Sequence, residues 1–172
     1  LTADANPDPL NPSHGEVEDY QVTIVQFADF GDAPDTHKTL ATSNGPRNFV
    51  DPNGPNLYLG TSVDSEWPGN ASADAGGDSY DDGVRLVTYG DQFEVRAGVE
   101  NILRVDVIKH TADAYVSAWI DYNGDGTWDD SERIVNDQPV SDGVNLFAFT
   151  PLYSVPTGSK FLRVRLSDTS GM

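Results

Sequence analysis

Cysteine is missing altogether, and disulfides, thiolate metal sites and thiol catalysis are excluded with it. Positive charge is scarce: 10 Lys and Arg stand against 28 Asp and Glu, a formal net charge of −18. Such a surface repels phosphates and anionic headgroups, so neither nucleic acid nor a membrane surface is an expected partner. No run approaches the roughly 18 apolar residues of a membrane helix, so no membrane insertion is expected. No window shows the i, i+3, i+4, i+7 apolar spacing of an amphipathic helix. There is no glycine-rich phosphate loop and no nucleophile elbow. His14, His37 and His110 lie in unrelated contexts, without metal-ligand spacing, and read as surface residues. No carboxylate pair is marked as lying in a cleft. The chain is not expected to be an enzyme.

What is present points to an all-β domain. Hydrophobic residues make up 37% of 172 residues, enough core for one module spanning 1–172. Period-two alternation places Leu162, Val164 and Leu166 on one face of a strand and Arg163 and Arg165 on the other. Asn101 to His110 and Ala114 to Asp121 alternate likewise and are expected to pair as a hairpin. Weaker strands are expected over Glu18 to Phe27, Leu57 to Val63, Gly83 to Thr88, Phe93 to Ala97, Arg133 to Val135 and Asn145 to Thr150. About nine strands without helices make a two-sheet antiparallel β-sandwich. Two long stretches, Gly31 to Asn56 and Glu66 to Asp82, lack periodicity and read as acidic loops that a bound ion would order.

Of the 28 acids 22 are aspartate, the residue of turns and calcium loops rather than of helix faces. The run from Asp121 to Glu132 matches the twelve-position EF-hand loop. Asp121, Asn123 and Asp125 offer side chains, Thr127 its carbonyl, Asp129 a water-mediated contact and Glu132 a two-oxygen carboxylate. Calcium is the expected ion. The flanks read as strands, so the ion is expected to rigidify rather than to open a helix pair, and Trp128 is expected to pack over the loop. A second calcium site is expected where the dispersed acids converge: Asp29, Asp32 and Asp35, then Asp64 and Glu66, then Asp78, Asp81 and Asp82. The bland alternative is turn aspartates bonding their own backbone.

The run Gly15-Glu16-Val17-Glu18-Asp19-Tyr20 resembles the signature of the bacterial GEVED domain. Further similar segments follow: Asp29 to Asp35, Leu57 to Gly60, Val63 to Glu66, Asp81 to Val84, Ser117 to Gly126 and Arg163 to Leu166. The resemblance implies an extracellular, calcium-associated β module of a large secreted or cell-surface protein, and no catalytic activity. The acidic segment before Gly83 is shorter than the usual version of the family.

In that family the Gly-Glu-Val-Glu-Asp-Tyr strand follows the Arg-Val-Arg-Leu strand, whereas here it comes first. The chain opens at Leu1 without an initiator methionine or signal segment and reads as a mature product or an internal slice. Residues 1–27 are then a linker and strand that either belong to the previous module of a tandem repeat or complete a neighbouring subunit by strand complementation. Both arrangements link copies or adjacent repeats head to tail, and open head-to-tail contacts make a filament. The alternative is that Glu16 to Phe27 folds back into its own sandwich. A competing function is an adhesin module that binds a surface glycan or peptide through calcium and Trp67, Trp119, Tyr58, Tyr80 and Tyr122. Trp119 faces away from the apolar side of its strand and is expected under a covering loop.

Overall fold

The computed structural model describes residues 18–78, 82–88, 93–110 and 112–171. The fold is all-β, with nine antiparallel strands among these residues: β1 (Ala28–Phe30), β2 (Arg47–Phe49), β3 (Leu57–Leu59), β4 (Val84–Leu86), β5 (Asn101–Lys109), β6 (Tyr115–Ile120), β7 (Arg133–Pro139), β8 (Gly143–Phe149) and β9 (Leu162–Ser167). Among the described residues no helix is long and apolar enough to cross a membrane.

β5 organises the larger sheet. Its alternation buries Asn101, Leu103, Val105 and Val107 on one face. β8 pairs along one side of it, from Asn101↔Phe149 to Val107↔Gly143, without interruption. β4 and β3 share the other side end to end. The second sheet runs β7-β6-β9. β6 is buried on both faces: Val116, Ala118 and Ile120 join the core, while Ser117 and Trp119 are covered from the opposite side. One apolar cluster draws on both sheets, with Leu103, Val105 and Val107 meeting Val116, Ala118, Ile120, Val135 and Leu166.

The expected β5–β6 hairpin is therefore corrected. Both strands carry an apolar face, and burying both at once sets them across the core, in different sheets, rather than side by side. Phe93 to Ala97 is not a strand either. The buried Asn101 side chain accepts from the Arg96 amide at 3.0 Å and donates to the Arg96 and Val99 carbonyls at 2.9 Å each, which holds that segment as a turn. The stretch from Gly31 to Asn56 contains two single 3-10 turns and β2, which pairs with β1. Asn48 of β2 donates to the Leu166 carbonyl of β9 at 2.8 Å, so the β1–β2 pair sits against the β9 edge.

Glu18 to Phe27 does not form the expected strand within the chain. Its alternation is real, yet among the described residues it joins no ladder beyond the Phe27 carbonyl, which accepts from the Val50 amide at 3.1 Å, and Tyr20, Val22 and Ile24 are 78, 77 and 94% exposed. The β1–β2 pair that follows it sits at the β9 edge rather than beside an unpaired strand. Gly15 to Val17 lie outside the described residues.

Candidate metal centre

The twelve-residue acidic run is the β6–β7 connection, so its flanks are strands as expected. Asp121, at the end of β6, is 2% exposed and serves as the hub. Its Oδ1 accepts from the Gly124 and Asp125 amides at 2.6 and 3.2 Å, and its Oδ2 from the Gly126 amide at 3.0 Å. Gly126 has φ +81°, and a side chain there would meet the Thr36 carbonyl at 2.8 Å, so both the turn and the close approach require glycine. Asp125 accepts from the Thr127 amide and hydroxyl at 2.7 Å each, which holds its carboxyl below the ordinary range. Glu132, 3% exposed, closes the loop: its two oxygens accept from the Asn123 and Asp129 amides at 3.3 Å each, and with Asp129 it forms a capping box. Asn123, Asp125, Thr127 and Asp129 are exposed.

His37 completes this hub and corrects the surface reading. It is 6% exposed, and its Nε2 donates to Asp121 Oδ2 at 3.0 Å. Its ring packs on Phe161 and Trp128 at 4.7 and 5.2 Å between centroids. Arg163 lies 4.5 Å from the Trp128 ring and donates to Thr39 Oγ1, so Trp128 packs between His37 and Arg163. Burial first, and then the neighbouring Arg165, pull the Arg163 guanidinium down to about 10. The first long loop is thus fastened to the β6–β7 loop. No spacing rule flags His37, because its partner lies 84 residues away. Trp119 is buried, with the Arg133 guanidinium 5.0 Å from its ring. His110 is exposed, and His14 lies outside the described residues.

The dispersed acids divide into two groups. Asp29, Glu66 and Asp78 come together, each half-buried, with one carboxylate oxygen apiece all within 4.8 Å of one another. No other His, Asp and Glu set among the described residues is gathered so closely, the β6–β7 loop included. β1 places Asp29 on the face opposite the buried Ala28 and Phe30. The Glu66 amide donates to the Ala28 carbonyl at 3.1 Å, and Glu66 Oε1 accepts from the Phe30 amide at 2.7 Å. Asp32, 7% exposed, accepts from the Gly77 and Asp78 amides at 2.6 and 3.1 Å and so positions Asp78.

The other acids serve turns. Asp35 accepts from the Thr39 and Leu40 amides and the Ser43 hydroxyl, and Asp82 from the Thr61 amide and hydroxyl. These bonds hold both carboxyls below the usual range. Asp64 acts on the trio only through its charge, and Asp81 lies outside the described residues.

Glu66 shows the strain in the trio. Its Oε2 is fully buried without a hydrogen-bond partner. Burial first, and then the charges of Asp78 and Asp64, push its carboxyl from 4.5 up to about 7 against the opposing pull of the Phe30 amide. Three carboxylates this close repel one another unless a proton or a cation offsets them.

Comparison with known families bears on the last third of the chain. Residues 115–172 match the GEVED domain. This stretch takes in β6, the acidic connection, β7, β8 and β9, including the Ser117 to Gly126 and Arg163 to Leu166 segments that carried the resemblance. The Gly15 to Tyr20 signature and the Asp29, Glu66 and Asp78 trio lie outside the matched residues. No curated protein and no solved structure matches the chain.

Proposed function

We propose that this chain is a calcium-stabilised β-sandwich module of a bacterial surface structure, an extracellular filament subunit or repeat linked head to tail through residues 18–27. The observation that carries the linkage is that segment: Tyr20, Val22 and Ile24 alternate on one face and stay exposed, outside every ladder of their own chain. Large apolar side chains left this bare mark an interaction surface.

The calcium part rests on the donor chemistry. Asp29, Glu66 and Asp78 offer hard oxygens of the kind calcium takes, and the orphaned Glu66 Oε2 is an oxygen in want of a cation. An ion held there would offset the repulsion and tie β1 to the loop carrying Glu66 and Asp78. In the β6–β7 loop Asp121, Asn123, Asp125, Thr127, Asp129 and Glu132 remain the candidate ligands of a second ion.

The linkage is tested by sedimentation velocity of the full chain in calcium, with a Val22→Asp, Ile24→Asp variant beside it. The expected result is concentration-dependent assembly that the variant loses, with an unchanged circular dichroism spectrum because the segment lies outside the folded core. A chain that stays monomeric, or a variant that assembles equally well, overturns the linkage.

One observation favours a second reading, an adhesin module. Trp67, 43% exposed and stacked edge-on to Phe30, directly follows Glu66, so an aromatic face lies beside the carboxylate trio. Saturable glycan or peptide binding that chelator abolishes and Trp67→Ala weakens would establish it.

A further inference from the structure

Among the described residues, each sheet leaves one edge without a strand partner beside the other, β8 in the larger sheet and β7 in the smaller. Two adjoining clefts of about 330 and 290 Å³ run along the seam between them. Ile134 and Ala148 line both, with Phe149 in the first and Leu146 and Phe147 in the second. In a chain carrying 28 acids, the described lining of the clefts includes Arg133 and no acidic residue.

The two edges differ. β7 pairs with β6 through register shifts, has Asp137 at φ +48° and ends in Pro139, all devices that blunt an edge. β8 is regular over seven residues and exposes Val144 and Leu146, 57 and 61%, on its outer face. A long, regular, apolar edge is a template for another strand.

Resting on the linkage proposed above, we infer that the β8 side of this seam is the acceptor for residues 18–27 of a second copy. Ten residues at roughly 3.3 Å each are long enough to run the length of β8. Tyr20, Val22 and Ile24 face the clefts, filling space beside Ile134 and Phe147, while Gln21 and Thr23 face solvent. Glu18 and Asp19 enter beside Arg133, which pairs with the exposed Asp130 at 3.0 Å, while no acidic residue belongs to the described lining of the clefts themselves. The donor is a second copy because the segment leads into β1, and the β1–β2 pair lies at the β9 edge, on the far side of β6 from β7.

The absence of cysteine makes the test clean. Full-length Ile24→Cys, Gln138→Cys is oxidised at assembling concentration and compared with Tyr20→Cys, Ile134→Cys, the same register four residues back, and with Ile24→Cys, Arg165→Cys, which reports on the β9 edge. The expected result is a ladder of dimers, trimers and longer species on a non-reducing gel for the first two variants, collapsing to monomer on reduction, and at least tenfold less ladder for the third. Assembly with the ladder confined to the β9 variant overturns the acceptor while leaving head-to-tail linkage standing. A monomeric chain, or a crosslink closed within one chain, overturns both.

Discussion

Two acidic regions of this molecule use their carboxylates in opposite ways. In the β6–β7 connection the buried acids are saturated: Asp121 accepts from three amides and His37, and Glu132 from two amides. At Asp29, Glu66 and Asp78 the acids face one another, and a buried oxygen has no donor. The first region follows the EF-hand spacing; the second is assembled from three separate segments. A spacing motif therefore identifies a loop that folds around its own carboxylates, while tertiary structure gathers three distant carboxylates within 4.8 Å and leaves one buried Glu66 oxygen without a donor.

The largest effect that separates the regions is expected at Asp121. Asp121→Ala removes the acceptor of three loop amides and of His37 at a 2% exposed position. Leaving buried donors unsatisfied is expected to cost about 3 kcal/mol, with or without calcium. Urea denaturation in calcium and in chelator measures it. Equal losses assign Asp121 to hydrogen bonding alone; a loss confined to calcium would reverse the contrast.

The same distinction explains what could be read in advance. β5, β6 and β9 were legible because alternation is local, and so was the β6–β7 loop because its ligand spacing is local. The β5–β6 pairing was not, since two apolar faces predict mutual burial but not whether the strands sit beside or across from each other. β1 and β2, three residues each, are too short to show a period. For the trio, residue type placed Asp29, Glu66 and Asp78 among eight candidates. Only the β1–β2 pairing, the Glu66 bond to Phe30 and the Asp32 bond to Asp78 select them. His37 and Asp32 carried no signal of their hub roles, because burial by a distant segment leaves no local pattern.

A smaller effect is expected at Glu66. Glu66→Gln keeps an acceptor for the Phe30 amide and replaces the carboxyl gathered with Asp29 and Asp78 by a neutral group that carries a donor. In chelator the variant is expected to be more stable than the parent by about 1 kcal/mol, and in calcium to lose most of the ion's stabilisation. The pH dependence gives an independent check. Because folding raises this carboxyl from 4.5 to about 7, the folded state binds a proton that the unfolded state has released between those values. In chelator this group's contribution is therefore complete below pH 4.5 and is lost as the pH rises through 7, a fall that Glu66→Gln removes. An ion bound at the trio would compete with the proton for the carboxylate, so its stabilisation is expected to grow over the same range. Calorimetric melting from pH 4.5 to 7.5, with and without calcium, measures all three; a parent whose stability in chelator rises over this range would remove the trio from the account.

The smallest effect sharpens the contrast from the other side. Asp125 is exposed, and its bonds to Thr127 and Asn123 are local ones that water can replace. Asp125→Asn keeps an acceptor for the Thr127 amide, so the melting temperature in chelator is expected to stay unchanged. Were an ion held by this loop, losing the charge at its fifth position would weaken the hold. A Tm drop seen only in calcium, together with loss of one bound ion by calorimetric titration, would make the loop a metal site in its own right. No drop in either condition would leave it a loop closed by its own amides, with the trio as the place where calcium acts.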